Sequence, residues 1–161
     1  MLHYLCPLRH PFWNQIRWSA WSPYEIGQID RIENVQKYFS RRLLGGNIPY
    51  QERLKVLKLE VLEERRLKTD IRFFRGVLTD NVSLDLGHMF NFRENCRRSN
   101  GNLYKPYCRT NIRKAFWCNR VIDVWNSLTD NLKNCNICSY DVFCKSLTNT
   151  SLIHFCRGSF L

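Results

Sequence analysis

The chain is poor in the residues that interrupt regular structure. Seven glycines and five prolines among 161 residues exclude a collagen repeat and a Pro-rich linker. Uncharged stretches such as Trp18 to Tyr24 fall far short of the roughly 18 apolar residues that a bilayer-spanning helix requires, so no membrane partner is expected. Eight cysteines are about 5% of the chain, below the roughly 8–10% of a small disulfide scaffold. The opening Met1-Leu2-His3-Tyr4-Leu5-Cys6-Pro7 has neither a basic leader nor a long apolar segment. The expectation is therefore reduced thiols in a nuclear or cytoplasmic protein that is not secreted.

The apparatus of an enzyme is also scarce. The aspartates at positions 30, 70, 80, 85, 123, 130 and 141 are scattered, with no two adjacent. There is no Gly-rich phosphate loop and no paired-His helix motif. The four histidines, His3, His10, His88 and His154, are remote from one another and read as surface or satisfied residues rather than bases. No catalytic residue, cofactor or metal is assigned from the sequence.

What the chain does have is apolar material and positive charge. Hydrophobic residues make 44%, aromatics 14% and charged residues 24%, which is the composition of a folded chain. The net charge of +11 is concentrated in two segments, Arg31 to Arg75 at net +6 and Arg93 to Arg120 at net +7. Such excess attracts polyanions, most often nucleic acid, and makes the attraction salt-dependent. A solvated basic surface without a partner has the same composition.

Periodicity predicts a mainly α fold. Ser22-Pro23-Tyr24-Glu25 reads as a capping box with proline at the first helical position. Ile26, Ile29, Ile32, Val35 or Gln36, Phe39 and Leu43 follow as the expected core face, and Gly45-Gly46 as the stop. A short helix is predicted from Pro49 to Leu57. A third carries Val61, Leu62, Leu67, Ile71, Phe74 and Leu78 on its apolar side and Arg65, Arg66, Lys68, Arg72 and Arg75 on its polar side, with Glu64 and Lys68 in support. From Thr79 to Gly101 the period fails and a linker or loop is expected. Leu103 to Thr110 reads as an extended piece with one open edge, because Pro106 cannot donate to a ladder. Val121, Val124, Trp125 and Leu128 mark another helix, and Ser139 to Leu147 a last one burying Val142, Phe143 and Leu147. At most a short β hairpin or extended piece is expected beside the helices.

Two constellations bear on binding. Cys135-Asn136-Ile137-Cys138 with Cys144, His154 and Cys156 permits a zinc site by arithmetic, but His154-x-Cys156 is too tight for the usual second pair, and unpaired thiols are the favoured reading. Arg109-Thr110-Asn111-Ile112-Arg113-Lys114-Ala115-Phe116-Trp117 interleaves cations with aromatics, which suits phosphate contact and base stacking; one of Phe116 and Trp117 is expected in the core. With Arg120, and the pairs Arg41-Arg42, Arg65-Arg66 with Lys68, and Arg97-Arg98, these cations are the candidate phosphate contacts.

Several ordered blocks between about Arg17 and Leu147 resemble a known family. Trp21-Ser22-Pro23-Tyr24, Ile29-Asp30-Arg31-Ile32-Glu33-Asn34-Val35-Gln36, Tyr50-Gln51-Glu52-Arg53-Leu54 and Leu62-Glu63-Glu64-Arg65-Arg66-Leu67 resemble the region just downstream of the polymerase core in jockey-like non-LTR retrotransposon reverse transcriptases. Asn119-Arg120-Val121-Ile122-Asp123-Val124-Trp125-Asn126-Ser127-Leu128 and Phe143-Cys144-Lys145-Ser146-Leu147 look like that family's carboxyl-terminal end. Thr129 stands where the family usually has proline. The resemblance implies an unassigned stretch 1–16, a helical thumb-like region 17–78, a linker 79–101 and a basic helical region 102–161. It implies a segment that holds template RNA and target DNA, and that lacks the family's paired catalytic aspartates. The polymerase core itself is an implied partner. The other expectations are a decayed fragment without a biochemical role and a small zinc-binding interaction module.

Overall fold

The computed structural model describes residues 22–79, 89–93, 101–134 and 138–158. Among them the chain is mainly helical: α1 Ile26–Leu44, α2 Tyr50–Leu57, α3 Leu62–Leu78, α4 Asn111–Ala115, α5 Trp117–Ser127, α6 Asp130–Lys133 and α7 Tyr140–Asn149, closed by a single 3-10 turn at Ile153–Phe155. The only β pairing among the described residues is one antiparallel bridge between Phe92 and Leu103. Of the segment read as a linker, 79, 89–93 and 101 are described. The mainly α expectation with one extended piece holds.

α1 begins one turn later than the capping box predicts. Glu25 is the N-cap and gives no side-chain cap. Its carboxylate is taken by its neighbours, accepting from the Tyr24 hydroxyl at 3.2 Å and the Gln28 amide at 3.0 Å, so it cannot reach back toward Ser22. The helix ends as expected, at Gly45 with φ +87°, whose amide donates to the Arg41 carbonyl at 2.9 Å.

The face that α1 turns inward is the larger correction. Ile29 is buried, but its buried companions are Glu33 and Ser40, while Ile26, Val35, Phe39 and Leu43 are exposed. A polar junction sets this rotation. The Glu33 carboxylate accepts from the Tyr50 hydroxyl of α2 and from the Leu62 amide at the start of α3, the latter at 3.0 Å. The Gln36 amide donates to the same hydroxyl at 3.1 Å and to the Glu60 carbonyl at 3.0 Å. Three helix segments thereby meet on one carboxylate, and burial together with Glu33 raises the Tyr50 pKa well above its ordinary range. Turning Phe39 and Leu43 inward would carry Glu33 away from the Tyr50 hydroxyl and the Leu62 amide, and a buried donor left without its acceptor costs about 1–3 kcal/mol.

α3 is central. Leu67, Ile71 and Phe74 pack with Val121, Ile122, Trp125, Phe143, Leu147 and Leu152 in one apolar core, so the stretches on either side of the expected linker are joined. Phe74 meets Trp125 edge-on at 4.8 Å between ring centres and Phe90 at 4.5 Å. The polar side read for α3 is divided: Arg65 is exposed, but Arg66, Lys68 and Arg75 are buried. Arg75, without solvent exposure, donates to the carbonyls of Lys133 at 2.8 Å, Asn134 at 3.3 Å and Cys138 at 2.5 Å, and lies over the Phe143 ring. Nothing in the local pattern of a helix reveals that carbonyls about sixty positions away will claim a guanidinium.

The Trp-Asn-Ser-Leu block has a structural task. Trp125 and Leu128 are buried in the core, and the Trp125 indole donates to the Gly101 carbonyl at 2.8 Å. The Asn126 side chain pairs with both backbone groups of Leu103, at 2.8 and 3.0 Å. α5 thus clamps the segment that leads into residues 104–110. α7 starts as predicted, with Ser139 accepting from the Val142 amide, but Val142 faces solvent while Phe143 and Leu147 are buried.

Arg75→Met keeps much of the volume and removes the bonds to three carbonyls. The expected loss is about 3 kcal/mol of unfolding free energy, read from the denaturation midpoint. An unchanged midpoint would contradict the role given to Arg75.

Candidate functional site

A groove of about 620 Å³ opens between the extended run after Leu103, the end of α4, the α5 surface and the carboxyl-terminal turn. Its walls carry Tyr104, Lys105, Tyr107, Lys114, Asp123 and Arg157. The extended run follows from the single bridge, where the Tyr104 amide donates to the Asn91 carbonyl at 2.7 Å, and from Pro106, which ends any ladder.

α4 is short and is held from both ends. Thr110 caps it, accepting from the Arg113 amide at 3.3 Å. From α5, the Asn119 side chain donates to the Arg113 carbonyl at 2.6 Å, and Arg120 donates to the Ala115 carbonyl at 3.2 Å. Phe116 is extended and breaks α4 from α5. The result is a fixed knuckle whose Arg113 and Lys114 side chains stand in solvent next to exposed Ile112 and Phe116. Trp117 is the member of the aromatic pair that packs against the core.

The candidate cations divide into three groups. Arg109, Arg113 and Lys114, on or next to α4, are exposed and in no ion pair among the described residues, and Lys114 lines the groove. Arg41, Arg42 and Arg65 are also exposed, the first two at the end of α1, where Arg42 donates to the Tyr38 hydroxyl at 3.1 Å. Arg66, Lys68 and Arg120 serve the interior. Lys68 is buried against Glu60 at 2.6 Å, Glu64 at 3.5 Å and the Thr148 carbonyl at 3.1 Å. Arg120 grips buried Asp70 at 2.6 Å. Burial lowers the Arg66 pKa, opposed by Glu63, and its Nε donates to the Leu62 carbonyl at 3.2 Å. Arg97 and Arg98 lie outside the described residues.

Inside the groove each carboxylate has its own cation. Asp123 pairs with Lys105 at 2.5 Å, and Glu63 lies 3.7 Å from Arg157. Glu63 also accepts from the backbone amides of Arg157 and Gly158 at 2.9 and 3.1 Å, and Glu64 from the Leu152 amide at 2.7 Å. Two adjacent carboxylates at the start of α3 therefore fix the carboxyl-terminal wall of the groove. The unpaired cation of the lining is Lys114, on the α4 knuckle. Lys105, Tyr104, Tyr107 and Arg157 were not among the residues singled out from the sequence; the alternation Tyr104-Lys105-Pro106-Tyr107 in an extended run is the signal that marks the first three.

The cysteines are dispersed. Cys138 and Cys118 are buried in the core, and Cys144 and Cys156 pack at its edge. Burial, with Glu63, Glu64 and Glu33 nearby, pushes the Cys156 thiol up to about 12, which disfavours the thiolate that a metal ligand needs. Among the described residues no three His, Cys, Asp or Glu side chains converge on a metal position; Cys135 lies outside them. Also among the described residues, no helix is long and apolar enough to cross a membrane. Compared with models of protein families, with curated proteins and with solved structures, the chain matches none.

Glu63→Ala removes the acceptor of two backbone amides. Hydrogen exchange at Arg157 and Gly158 is expected to quicken about tenfold or more, since a hydrogen bond to a charged group contributes about 1.5–3 kcal/mol, while the α5 amides keep their protection. Unchanged exchange at both residues would contradict the anchoring.

Proposed function

We propose that this chain binds RNA or DNA through the basic rim of the groove and carries out no polymerisation. The observation that supports the reading most directly is the gathering of Arg109, Arg113 and Lys114, exposed and without carboxylate partners among the described residues, beside exposed aromatic rings. Cations left unmatched on a fixed surface attract phosphates and release counterions when they bind them. Arg113 and Lys114 sit on a knuckle held by α5, so little ordering accompanies contact.

The reading agrees with the resemblance to the carboxyl-terminal region of jockey-like reverse transcriptases, in which the chain would hold nucleic acid while catalysis lies in another segment. Three of the described aspartates are engaged in ion pairs: Asp70 with Arg120, Asp123 with Lys105 and Asp130 with Lys133. A second reading has its own observation. The stripe Val35, Phe39 and Leu43 on α1, with Leu43 71% exposed, is the kind of apolar surface that a monomer seldom leaves open. In that reading the chain is a piece of an enzyme whose polymerase core once covered α1.

A salt titration of the purified, reduced chain on a labelled RNA hairpin and a matched DNA duplex tests the proposal. If the three rim cations each contact a phosphate of the duplex, the plot of log affinity against log salt has a slope of about −2.7. A flat dependence, or aggregation without binding at low salt, would overturn nucleic-acid binding and favour the second reading.

A further inference from the structure

We infer that the groove takes a single-stranded stretch of nucleic acid, with an unpaired base laid against the ring of Tyr107, and that a duplex reaches only the rim. The inference rests on the nucleic-acid reading above and narrows it to one form of the ligand.

The aromatic rings separate into two sets. Phe73, Phe74, Phe90, Trp117, Trp125 and Phe143 pack on one another inside the fold. Tyr107 is 90% exposed, and Tyr104 is half exposed beside it in the same groove. An aromatic ring on the wall of a groove, with its faces open to water, offers a platform to any flat apolar surface, and a nucleobase has one.

Stacking carries the discrimination. Four cations, Lys105, Lys114, Arg120 and Arg157, share the lining with Glu63 and Asp123, and three of them are paired, Lys105 with Asp123, Arg157 with Glu63 and Arg120 with Asp70. Lys114 is in no ion pair among the described residues, so it is the lining cation open to a phosphate. A single strand can set a phosphate on Lys114 and lay a free base on an exposed ring of the same groove. In a duplex the bases are already paired and stacked, so its surface offers the rings phosphate and sugar but no free base face. The volume of about 620 Å³ is within the roughly 300–1,000 Å³ of pockets that enclose small flat ligands, and it is concave where a duplex is convex.

Anisotropy titrations of the full chain with short labelled single strands of RNA and of DNA, and with the duplex of the same sequence, test this at one fixed salt concentration. Either single strand is expected to bind more tightly than the duplex. Tyr107→Ala is expected to weaken single-strand binding by about tenfold, leaving the duplex nearly unchanged, and Tyr107→Phe to restore it. Because Tyr107 is exposed, neither substitution should disturb folding, which circular dichroism checks. Equal or tighter binding of the duplex, or a Tyr107→Ala chain that binds single strands as the original does, would overturn the inference while leaving nucleic-acid binding intact. Absence of binding to every ligand would overturn the functional reading itself.

Discussion

The guanidinium of Arg75 lies without solvent exposure near the end of α3, closed in by the carbonyls of Lys133, Asn134 and Cys138. At the other end of the same helix, Glu63 and Glu64 hold the amides of Leu152, Arg157 and Gly158. Between them Asp70 holds Arg120 of α5. Acids in the first turn and a cation in the last also match the helix dipole. The carboxyl-terminal half of the chain is thus strung along α3 by charges that cannot be left unpaired inside a protein, since each such group would cost several kcal/mol. Apolar packing of Leu67, Ile71 and Phe74 supplies cohesion, and the buried charges fix which segment meets which turn.

That arrangement changes the meaning of the net charge of +11. Arg66, Lys68, Arg75, Arg120 and Lys133 point inward and are engaged by carboxylates and carbonyls. A polyanion meets only what remains outside. Among the described residues what remains includes Arg109, Arg113 and Lys114 at the α4 knuckle, Arg41 and Arg42 at the end of α1, and cations spread over other elements, such as Lys55, Lys58, Arg65 and Lys145. The fold therefore withdraws part of the positive charge from solvent, and of the exposed cations those at α4 adjoin a groove with exposed rings.

The long helices and some of their ends were legible in the sequence, because they depend on local chemistry: Gly45 ends α1 and Ser139 caps α7, whereas the short α4 with its Thr110 cap lies where the sequence reads as an extended piece and a basic segment. Helix faces were less so. The period of α1 pointed to Phe39 and Leu43 as core, and Glu33 decided otherwise through contacts with Tyr50 and Leu62, which lie 17 and 29 positions away. Cations on α3 looked like a solvated face for the same reason. Of the candidate site, Arg109, Arg113 and Lys114 were legible as a basic segment interleaved with aromatics. The opposing wall, with Phe155 and Arg157, was not, because only the anchoring of residues 152–158 to α3 brings it there.

The central claim is that binding follows which cations the fold leaves unmatched beside the groove, not the total charge. The most direct measurement compares two charge-equivalent double variants for binding to one labelled RNA: Arg113→Glu with Lys114→Glu, and Arg41→Glu with Arg42→Glu. All four side chains are exposed, so both variants should fold, and both change the net charge equally. The account predicts that the first pair abolishes most of the affinity and that the second changes it little. Equal losses from the two variants, or a greater loss from the α1 pair, would contradict it.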